Sequence, residues 1–194
     1  MTDTVRPFSR RLFMSLALPL ALAPSLAMAA AGTSAESYVS KVGNGVIAAA
    51  RANSVSQFRS LLKANADIAA IAIYSLGPYR KSLTNDVRSE YYGLVENYIA
   101  KVFQQNAKKL AGEGLEVQGT KDAGDSVLVK SVLNMDGGGV MPVTWRLVKR
   151  GDGYRIFDVN VDGIWLASTQ KTNFVSVLKK NNGQISALLD YLRK

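Results

Sequence analysis

Residues 140–161 read VMPVTWRLVKRGDGYRIFDVNV, and this stretch decides the fold class. Met141, Val143, Trp145 and Leu147 alternate with Thr144, Arg146 and Val148, the period of a half-buried strand. Arg150-Gly-Asp-Gly153 is turn chemistry. Beyond it Arg155, Phe157, Val159 and Val161 alternate with Tyr154, Ile156, Asp158 and Asn160. Two alternating runs joined by a glycine turn predict an antiparallel hairpin. Upstream, residues 115–120 and 126–135 read as two more strands. Asp122-Ala-Gly-Asp125 and Asp136-Gly-Gly-Gly139 are the turns that separate the strands. The whole is a four-stranded meander with one apolar face.

Helical periods flank the meander. Thr33-x-x-Glu36 has the capping-box pattern, ahead of Tyr38, Val42, Val46 and Ala50 at helical spacing. Ser54-x-x-Gln57 opens a second helix with Phe58, Leu61 and Leu62 on one face. A short third helix holds Asp67, Ile68 and Ile71, and Leu76-Gly77-Pro78 ends it. Val87, Tyr91, Leu94, Tyr98, Val102 and Phe103 predict a long helix over 85–110. After Asp162-Gly163 the helical period returns with Phe174, Val177 and Leu178, then Ile185, Leu188, Leu189 and Leu192. Helices, a meander and a helical end make an α+β domain. An amphipathic helix over a curved sheet either closes a core or leaves an apolar cavity, and periodicity allows both.

The chain has 194 residues, 47% hydrophobic and 20% charged, with no Cys and no His. This composition is globular. It excludes disulfides, thiolate nucleophiles, zinc fingers and any mechanism built on imidazole. Ser9-Arg10-Arg11-Leu12-Phe13 precedes an apolar run that ends in Ala27-Met28-Ala29, a small-x-small pattern. That is a secretory signal over residues 1–29, cleaved near Ala29, and it leaves one domain over 30–194. The paired arginines fit twin-arginine export and general secretion equally. Losing the signal's three arginines and one aspartate takes the net charge from +9 to +7. An exported basic protein is expected to meet anionic headgroups or acidic protein faces, not nucleic acid.

The segment from Pro142 to Leu166, above all residues 154–166, resembles the signature of the MlaC family, periplasmic phospholipid-binding or toluene-tolerance proteins. The pattern continues through Thr169, Phe174, Asn182-Gly183 and residues 188–192. Upstream, Leu76-Gly77 with Arg80 resembles the family's Leu-Gly-x-x-x-Arg junction. The chain departs from the family at Trp165 and at Gln170-Lys171, where a Tyr-Arg pair is usual. Lys keeps the charge there but lacks the planar fork of Arg.

The resemblance implies a mixed α/β fold around a deep apolar pocket, with phospholipid as cargo and no cofactor, metal or catalytic residue. It also implies a periplasmic shuttle between an outer-membrane lipoprotein complex and an inner-membrane ABC transporter that maintains outer-membrane lipid asymmetry. The protein is expected to be a monomer. Exposing one long acyl chain costs on the order of 10 kcal/mol, so such a carrier needs a cavity and no reactive group.

The inward faces nominate Tyr74, Leu94, Tyr98, Val102, Val143, Trp145, Leu147, Phe157, Val159, Val161, Leu166 and Phe174 as the pocket wall. On this expectation Leu147→Arg would empty the pocket without unfolding the protein, whereas Leu189→Arg would disturb folding. Other readings stay open at the level of sequence. One is a pocket isomerase of the nuclear-transport-factor type with Asp158 as base, although alternation sets Asp158 opposite Val159. Another is a carrier of a different polar lipid such as a hopanoid. The last is an envelope interaction module using the exposed pairs Lys108-Lys109, Lys149-Arg150, Lys179-Lys180 and Arg193-Lys194.

Overall fold

The computed structural model describes residues 1–2 and 26–194, with side chains for 1–2 and 35–194. The basic and apolar stretch that precedes Leu26, where the export signal is read, lies outside the described residues. Helix α1 (Leu26–Arg51) is already under way before Thr33. The capping pattern therefore sits inside a helix, because residues 26–31 are rich in alanine, the best helix former. Helix α2 (Val55–Asn65) starts where expected, with the Gln57 N–H donating to Ser54 Oγ at 3.3 Å. Asp67 caps α3 (Ile68–Ser75) by accepting the Ala70 N–H at 3.1 Å. Gly77, at φ +54°, then turns the chain into a short 3-10 helix, Gly77–Ser82.

The long helix expected over 85–110 is split into α4 (Asn85–Gln105) and α5 (Ala107–Leu110). Asn106 lies between them, its Nδ2 donating to the Val102 carbonyl at 2.8 Å. A side chain that satisfies a terminal carbonyl competes with helix continuation, and α4 stops there.

Strands β1 (Gly114–Asp122), β2 (Ser126–Asn134), β3 (Val140–Arg150) and β4 (Gly153–Val161) form the expected meander. A two-residue strand, β5 (Ile164–Trp165), extends it into a curved, open, five-stranded antiparallel sheet of order β1-β2-β3-β4-β5. Helices α6 (Leu166–Lys180) and α7 (Ile185–Arg193) follow. The fold is α+β.

Two bulges bend the sheet. Val117 pairs with Ser131 and Gly119 with Lys130, which leaves Gln118 extra on β1. Arg146 pairs with Asp158 and Leu147 with Ile156, which leaves Phe157 extra on β4. The second bulge corrects the sequence reading. Strict alternation holds from Asp158 onward, but below it the phase slips by one. Ile156, not Arg155, lands on the face of Leu147, Trp145 and Val143.

Apolar burial falls into three clusters. The inner face of the sheet (Val129, Leu133, Val143, Trp145, Leu147 and Ile156) packs against Ala35, Val39, Val42 and Ile47 of α1. Gly43 makes this packing close, since a Cβ there would collide with the Leu115 side chain of β1. An all-helical cluster gathers Leu76, Tyr91, Val95, Phe174, Leu178, Leu188 and Leu192. A smaller one surrounds Phe58 with Ala49, Ala50, Ala100 and Ala107. Among the described residues no helix is long and apolar enough to cross a membrane.

Candidate functional site

The three clusters do not merge completely. Between the sheet and the helices lies an apolar cavity of about 120 Å³. Strand β3 contributes Val143 and Trp145, and β4 contributes Ile156, Phe157, Val159 and Val161. The opposite side is Val42, Val46 and Ile47 of α1 with Phe58, Leu61 and Leu62 of α2. Ile99, Val102 and Phe103 of α4 close one end, and Leu166, Ala167 and Gln170 of α6 close another. The volume is below the roughly 300–1,000 Å³ of small-molecule sites, so a long chain enters only as the wall gives way.

Of the residues nominated from sequence, Val102, Val143, Trp145, Phe157, Val159, Val161 and Leu166 line this cavity. The other five lie elsewhere. Leu147 is on the expected face but 0% exposed, sealed in the sheet–α1 cluster. Phe174 is 0% exposed in the helical cluster, where Leu94 and Tyr98 pack against it. Tyr98 stacks edge-on to Phe174 at 5.6 Å between ring centroids, and its hydroxyl lies 3.3 Å from that of Tyr191. Tyr74 lies outside the cavity, edge-on to Phe157 at 5.5 Å, with its hydroxyl 3.3 Å from Ser168 Oγ. The difference in placement has one cause: periodicity assigns an inward direction, and three separate apolar clusters share that direction.

Sequence reasoning also missed half of the wall. The α1 and α2 residues were legible as apolar stripes, but nothing local says that those stripes face a cavity. Gln170 had a readable signal, since it follows Leu166 by four residues and precedes Phe174 by four.

Trp145, Asn65 and Asp158, three of the polar groups on the wall, are engaged from within. Trp145 Nε1 donates to Ser131 Oγ at 2.9 Å, and that hydroxyl donates to the Val143 carbonyl at 3.0 Å. The bonds fix the indole with no unmet donor. Asn65 Nδ2 donates to the Leu61 carbonyl at 2.9 Å.

Asp158 is buried, and its Oδ1 accepts the N–H groups of Val159 and Ala167, each at 2.8 Å. The second bond ties the first turn of α6 to β4, so the carboxylate acts as a helix cap delivered from a strand. Desolvation pushes its pKa above the usual aspartate value, against the opposing pull of the Ala167 and Val159 N–H groups and of Arg146.

The raised pKa has a consequence for stability. The folded protein holds a proton on Asp158 more tightly than the unfolded chain does. Ionised Asp158 therefore subtracts from stability at neutral pH, and the deficit vanishes as pH falls below the unfolded value near about 4. Asp158→Asn keeps the acceptor and removes the charge. It is expected to melt above the wild type at pH 7, with the gap closing toward pH 3. Asp158→Leu loses the acceptor and is expected to melt lower at both. Thermal melts across pH check the pair, and a gap that widens on acidification would contradict this account.

Next to the cavity is a cationic groove formed by Tyr74, Gly77, Arg80, Lys81 and Lys171. Lys171 Nζ sits 4.9 Å over the Tyr74 ring. Among the described residues none of these three cations pairs with a carboxylate, whereas Arg150 and Arg193 do, with Asp67 and Glu90. The Phe157 and Tyr74 rings are the partition, one lining the cavity and the other the groove. Among the described residues no cluster of acidic side chains could hold a metal ion.

No curated protein matches the sequence. The fold is similar to that of a solved structure, the phospholipid-binding protein from Ralstonia solanacearum in complex with a phospholipid. It superposes with a TM-score of 0.70 at 19% identity, over 82% of this chain and 94% of that one, which establishes a common fold. The model of the MlaC protein family matches residues 39–194. That span takes in the whole sheet and every residue that lines the cavity, and on it the chain belongs to the MlaC family.

Proposed function

We propose that the protein is an exported, monomeric carrier that holds the acyl chains of a phospholipid in the cavity between sheet and helices. It shuttles that lipid between an outer-membrane lipoprotein complex and an inner-membrane ABC transporter, and so maintains outer-membrane lipid asymmetry. The observation that carries the reading is the cavity itself, walled mainly by aliphatic and aromatic side chains from ten helices and strands of the described chain. At about 0.8 kcal/mol per buried CH₂, such a wall compensates an acyl chain for leaving the bilayer. The phospholipid held by the R. solanacearum protein on the same fold supports this cargo.

The surface chemistry agrees with the role. Arg80, Lys81 and Lys171 offer positive charge where an anionic headgroup would emerge from the cavity. Asp158, the one carboxylate on the wall among the described residues, is bound by two backbone N–H groups and anchors the start of α6. The apolar run ending in Ala27-Met28-Ala29 supports export to the periplasm.

Native mass spectrometry of the mature protein, purified without detergent, tests the proposal. The expected spectrum contains protein with a co-purified polar lipid, and empty protein takes up phospholipid from vesicles. A spectrum free of lipid, with no uptake from vesicles, would overturn it.

A further inference from the structure

Gln170 stands in the second turn of α6 and lines the cavity. Its Oε1 is buried and has no hydrogen-bond partner, and it is the one buried side-chain oxygen or nitrogen in that position among the described residues. The other polar groups of the wall, Asp158, Asn65 and Trp145, all have partners inside the fold. A buried carbonyl without a donor has given up its hydration for nothing, and a leucine would fill the same space without that loss. The residue makes physical sense if something that enters the cavity supplies the donor.

The position of Gln170 says which part of an entering lipid that is. Its neighbour Lys171 belongs to the cationic groove, beyond the Phe157–Tyr74 partition. A lipid with chains in the cavity and headgroup toward the groove passes Gln170 where chains and headgroup join. An ester-linked diacyl phospholipid presents only acceptors there. An amide-linked or hydroxylated lipid presents an N–H or O–H.

We propose that Gln170 is a specificity-determining residue, whose Oε1 accepts a hydrogen bond from a hydroxyl or amide N–H at the chain–headgroup junction of the cargo. The inference rests on the lipid-carrier reading and narrows it. The protein selects lipids that carry such a donor over ester lipids of the same size and charge.

The test offers wild-type protein vesicles of phosphatidylcholine containing equal amounts of two lipids. These are dipalmitoyl phosphatidylethanolamine and N-palmitoyl dihydroceramide phosphoethanolamine, alike in headgroup and chain number. Bound lipid is identified by mass spectrometry. The wild type is expected to take up the amide lipid about tenfold in excess, equivalent to about 1.4 kcal/mol. In Gln170→Leu the ratio is expected to fall to about one, and that variant, rid of the unmatched carbonyl, is expected to melt above the wild type. Equal loading of the wild type would overturn the inference while leaving the carrier reading intact. A preference for the ester lipid would overturn it in the same way, since it would mean that the Gln170 side-chain nitrogen donates to an ester carbonyl. So would an unchanged preference in the leucine variant. Uptake of the vesicle phosphatidylcholine alone would overturn the inference and leave the carrier reading intact, whereas uptake of no lipid at all would make the carrier reading fail and this inference with it.

Discussion

Val159→Arg is expected to give a folded protein that retains less than a tenth of the wild-type lipid, whereas Leu147→Arg is expected not to fold. The two residues share one face of the sheet and differ in what lies above them. Val159 pairs with Trp145, is half-buried and lines the cavity. A guanidinium there has the cavity to extend into and can draw water in with it. Its bulk displaces several methylenes of cargo, at about 0.8 kcal/mol each, which amounts to more than a tenfold loss of retention. Leu147 pairs with Val127 and Ile156 and is completely enclosed. An unpaired charge in that position costs several kcal/mol, a large part of a typical stability of about 5–15 kcal/mol. Bound lipid per protein and a melting curve for each variant decide the matter. If both unfold alike, the Val159 face is sealed core. If Val159→Arg folds and keeps its lipid, the cargo lies elsewhere.

Phe174→Ala is expected to destabilise the protein by about 3–5 kcal/mol and to leave lipid binding by the folded fraction unchanged. The ring is fully enclosed, edge-on to Tyr98 at 5.6 Å and to Tyr191 at 6.4 Å, and it joins α4, α6 and α7. Removing it opens a void among three helices that cannot collapse independently. For a chain of this size the melting temperature should fall by roughly 10 °C. The ring does not reach the cavity wall, although it lies on the α6 stripe that carries Leu166 and Gln170. Melting temperature and lipid stoichiometry should therefore separate cleanly. Loss of lipid with an unchanged melting curve would mean that the helical cluster opens to admit cargo.

Local chemistry determined a large part of this protein from sequence. Ser54 and Asp67 start helices because their side chains accept backbone N–H groups three residues on, a bond that needs no tertiary partner. The meander follows from glycine turns between alternating runs, and the absence of Cys and His excludes whole classes of chemistry whatever the fold. The α+β class and the resemblance carried by residues 142–166 rest on such short-range signals.

The identity of each apolar surface came from tertiary structure alone. The period of a strand or helix specifies that a side chain turns inward but not what it meets. Leu147, Val159 and Phe174 have equivalent patterns, yet one is sealed under α1, one opens on the cavity and one packs among helices. The bulge at Phe157 is a single unpaired residue that leaves no trace in a period of two, yet it moves Ile156 onto the inner face. The cavity exists because α1 and α2 meet α4, α6 and the sheet without closing the space between them. That outcome depends on where residues as far apart in sequence as Val42 and Val161 come to lie, since both line the one cavity, and no local pattern encodes it.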